Sequence, residues 1–178
     1  MKFITSYSIF FNEQASTDPN INVKTKTAIN YDKMVKEYNT KKNEISALFE
    51  NPNINDDEIK NQLKRYTDPK GIFKNDLLRM WWDLCNYSYQ VKVKERKINN
   101  VNKDIDKQEN RLGTSDTEIK PKIQQIVTNM ETISDNYTDD IKILKEKILK
   151  LGKDIEEKLS EFTDSSKNIK RELNQNKT

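Results

Sequence analysis

Residues 77–112 read LLRMWWDLCNYSYQVKVKERKINNVNKDIDKQENRL, and Leu77, Leu84, Val91, Ile98, Ile105 and Leu112 recur in it every seven positions. An apolar residue at each seventh position, with a second set between, marks a helix that buries one narrow seam against another helix. The second set is Met80, Tyr87, Lys94, Val101 and Gln108. It is apolar and aromatic at first and then diluted by Lys94 and Gln108, so the seam thins toward Leu112. Gly113-Thr114-Ser115-Asp116 breaks the helix, and Ser115 or Thr117 is placed to cap the next one.

Beyond that turn a stripe of Ile119, Ile123, Ile126, Met130, Ile133, Tyr137, Ile141, Leu144, Ile148, Leu151, Ile155, Leu159, Phe162, Ser166, Ile169 and Leu173 runs at a mean spacing of about 3.6 residues. Pro121 fits its first turn, where a missing N–H costs little. Two long helices joined by a short Gly-containing turn pack antiparallel. The expected register sets Ile98 opposite Ile133, Val91 opposite Ile141, Leu84 opposite Ile148 and Leu77 opposite Ile155. The second helix outlasts the first. An earlier helix carrying Tyr31, Met34, Val35, Tyr38, Ile45, Leu48 and Phe49, ended by Asn51-Pro52-Asn53, has the length to cover the overhang. Between them, Asn55 to Glu58 resembles a capped start for a short helix with Ile59, Leu63 and Tyr66, and Thr67-Asp68-Pro69-Lys70-Gly71 is a turn.

The N-terminus reads differently. Phe3, Thr5, Tyr7, Ile9 and Phe11 alternate along a β-prone stretch, Ser16 to Asn20 signals a turn, and Ile21 to Thr25 can return as a second strand. The expected fold is mainly α: a long antiparallel coiled-coil hairpin with a small helical head and an N-terminal β-strand or hairpin arm. The arm is 1–27, the head 28–90 with 145–175 packed on it, the stalk 91–144 with its turn at 113–117, and 176–178 a tail.

Composition narrows the chemistry. The chain has 178 residues, 34% charged and 33% hydrophobic, a net charge of +3, three Gly, one Cys and no His. Lacking His removes the usual general base and imidazole ligand. Cys85 alone allows no internal disulfide and no multi-Cys zinc site. Three scattered glycines make no phosphate-cradling loop. No enzyme activity, catalytic residue, metal or cofactor is expected. No run approaches the roughly 20 apolar residues of a membrane span, and the N-terminus lacks a convincing signal peptide, so an intracellular or virion setting is expected.

Two stretches can bear function. An unpaired edge strand invites another chain, which makes Phe3, Tyr7, Ile9 and Phe11 candidate contact residues together with Trp82 of the Trp81-Trp82 pair. Lys92, Lys94, Arg96, Lys97, Lys103 and Lys107 form the most basic stretch, although Glu95, Asp104, Asp106 and Glu109 interrupt it. The expected role is a non-enzymatic structural or assembly protein, a phage or virus particle being the favoured setting. It would act through coiled-coil and β-arm contacts with protein partners, as a homo-oligomer or within a larger assembly. The alternatives are nucleic-acid binding through the 92–107 stretch, or a helical chaperone or inhibitor of one partner.

Overall fold

The computed structural model describes residues 19–175. Four helices carry most of them: α1 (Pro19–Glu50), α2 (Asp56–Leu63), α3 (Asp76–Thr114) and α4 (Lys120–Gln175). Among the described residues there is no strand, only one isolated antiparallel bridge from Thr67 to Phe73.

This corrects the expected β-arm. Phe3, Tyr7, Ile9 and Phe11 lie outside the described residues, but Ile21 to Thr25 form the first turns of α1, not a strand. Alternation over five residues is a weak signal beside the helical chemistry of residues 19–31. Pro19 stands at the first helical position, and the Thr25 and Thr27 hydroxyls donate to the Ile21 and Val23 carbonyls one turn back, at 2.8 and 2.9 Å. The face that begins at Ile21 continues through buried Ala28 to Tyr31, so one amphipathic helix accounts for the whole segment.

The helices group into two compact units, one comprising the described residues 19–41 and 156–175, the other residues 42–155. The expected architecture is also corrected: the described residues form a mainly α fold of four helices without a strand, not a long coiled-coil hairpin carrying a small head and a β-arm.

In the smaller unit α1 and α4 run antiparallel. Tyr31 stacks on Phe162 at 4.7 Å between ring centroids, and Ser166, buried, donates to Asp32 at 2.7 Å. Lys170 pairs with the same Asp32, and Lys24 meets Glu172 at 2.6 Å.

In the larger unit the core lies where α1, α2 and α3 converge. Ile45 and Leu77 are fully buried, and Trp82 takes Phe49 edge-on at 5.0 Å with Tyr66 and Phe73 beside it. The adjacent tryptophans divide their work, since they point about 100° apart on a helix. Trp82 fills the core, while the Trp81 indole N–H donates to the Lys42 carbonyl at 2.9 Å and ties α3 to α1. Asn55 caps α2 by accepting from the Glu58 N–H at 2.9 Å, and buried Asn75 caps α3 by accepting from Leu77 at 3.0 Å. In the loop between them Asp68 accepts from the Lys70 and Ile72 N–H groups, and Gly71 takes a φ of +78°, which a side chain would resist.

Candidate protein-contact surface

α3 and α4 lie antiparallel over 76–155, cross-linked by Lys94–Asp140 at 2.6 Å, Glu95–Lys145 at 3.7 Å and a Ser134–Asn102 hydrogen bond at 3.4 Å. Val91, Ile141 and Leu144 form a buried cluster, with Tyr87, Ile98 and Ile148 packed on it.

The seam of α4 is not quite the expected stripe. Ile123 and Val127 are buried and Met130, Ser134 and Tyr137 are half-buried, followed by buried Ile141 and Leu144. These residues alternate spacings of four and three. Val127 and Ser134 stand where the stripe placed Ile126 and Ile133. A mean spacing of 3.6 follows a straight helix, but a helix paired along its length with another keeps 3.5. The signal for the true seam was present in Val127, which the longer period passes over.

The consequence is an apolar row outside the seam. Ile119, at the turn before α4, together with Ile126 and Ile133 remains 47%, 42% and 45% exposed. Ile126 and Ile133 stand two turns apart on one side of α4, beside the seam, and Ile119 precedes them in the turn. Of the other large apolar side chains left exposed among the described residues, Leu149 lies across the same helix from them, Ile143 is nearer the row, and Val23, Ile29 and Ile72 lie elsewhere. The row also crosses Ile123 to Met130, eight consecutive residues without a charge in a chain that is 34% charged.

The residues expected from the sequence fall elsewhere. Trp82 is 4% exposed and lies in the core. The basic stretch splits into two sets. Lys94 is taken up by Asp140, and both Lys94 and Lys97 sit over the Tyr137 ring, 5.3 and 5.5 Å from its centroid. Lys92, Arg96, Lys103 and Lys107 are exposed on the outer face of α3, with Lys107 held by Asp104 at 2.8 Å. An open groove of about 670 Å³ between the start of α2 and α3 is lined by Asp56 and Asp57 as well as by Lys94 and Lys97, so it carries mixed charge.

Cys85 is buried beside Ser46, and burial pushes its thiol up to about 11. A thiolate, the reactive form, is therefore scarce at neutral pH. Tyr66 is pushed up to about 12 by burial and by the Glu44 carboxylate next to it. Among the described residues no three His, Cys, Asp or Glu side chains gather as a metal site would require, and no helix is long and apolar enough to cross a membrane.

The expected mechanism of docking through a β-arm is thereby corrected: the described residues hold no strand to offer, and the exposed apolar surface they do hold is helical. No family model, curated protein or solved structure matches the chain.

Proposed function

We propose that the chain is a non-catalytic helical protein that works by contacting other protein chains through one face of α4. The observation that carries this reading is the row Ile119, Ile126 and Ile133, left in water while the seam beside it is already filled. Taking an isoleucine side chain from full exposure to full burial is worth about 1.5–3 kcal/mol; each residue of the row is a little under half exposed, so a partner would supply roughly half of that apiece. Depletion of charge is what distinguishes the centre of a protein–protein contact from ordinary surface, and residues 123–130 have none.

The test is a photo-activated cross-linking side chain placed at 126 in cells, with position 149 as the control. Leu149 is 69% exposed and stands across the same helix, 23 residues on. Protein adducts formed from 126 and not from 149 are expected; equal or absent adducts contradict the reading.

A further inference from the structure

We draw no further inference here: the strongest candidate, the open groove between the start of α2 and α3 lined by Asp56, Asp57, Lys94 and Lys97, carries charges of both signs that select no one class of ligand, and nothing in the structure shows what covers it.

Discussion

The paired helices α3 and α4 are built differently at their two ends. Near Trp82 a further layer from α1 and α2 packs on α3, and Phe49, Tyr66 and Phe73 close around one indole. Beyond Ile98 no residue of α3 is fully shielded: Ile98, Val101, Ile105, Gln108 and Leu112 are half-buried, and α4 shows its isoleucine row to solvent. α3 is thus firm where it is covered and thin where it is not, while α4 keeps Ile123 and Val127 buried even there. Amphipathic helices take most of their stability from what packs on them rather than from their own propensity.

The sharpest way to break this contrast is to empty the covered end. Trp82→Ala should cost about 3–5 kcal/mol in urea unfolding, within the range for deleting a large buried aromatic. Ile105→Ala, in the thin part, should cost less than half of that.

Alkaline titration probes the same core next. The Cys85 and Tyr66 values are raised on folding, from 9.0 to about 11 and from 10.0 to about 12. Above pH 9 the unfolded chain ionises first and is favoured, so the stabilising contribution of these groups is complete below pH 9 and fades as pH rises through 11 and 12. Thermal melts across that interval should show the decline, and Cys85→Ala should remove the portion between about 9 and 11.

Smaller changes sharpen the picture. Gly152 lies inside α4 with nothing within 4 Å of where a Cβ would stand. Gly152→Ala should therefore stabilise the chain by about 0.5–1 kcal/mol. The Lys94–Asp140 pair is partly exposed, so a double-mutant cycle should give about 0.2–1 kcal/mol, shrinking in high salt.

Much of this was legible in the residues. Heptad spacing from Leu77 to Leu112 marked the helix and its weakening seam, and the Asn55 cap and the Gly71 turn were readable because their chemistry is local. The helical start of α1 was not, because Ile21 to Thr25 are β-prone by composition and become helical with the face they share with Ala28 and Tyr31. Nor was the exposed row: the choice between Ile126 and Val127 turns on a difference of about 0.1 residue per turn, which a partner helix settles and a lone sequence does not.

Hydrogen exchange along α3 in the dilute chain tests the contrast itself. Amides from 80 to 91 should exchange only by global unfolding, and those from 101 to 112 at least tenfold faster through local opening. Protection that is uniform from 80 to 112 would contradict it.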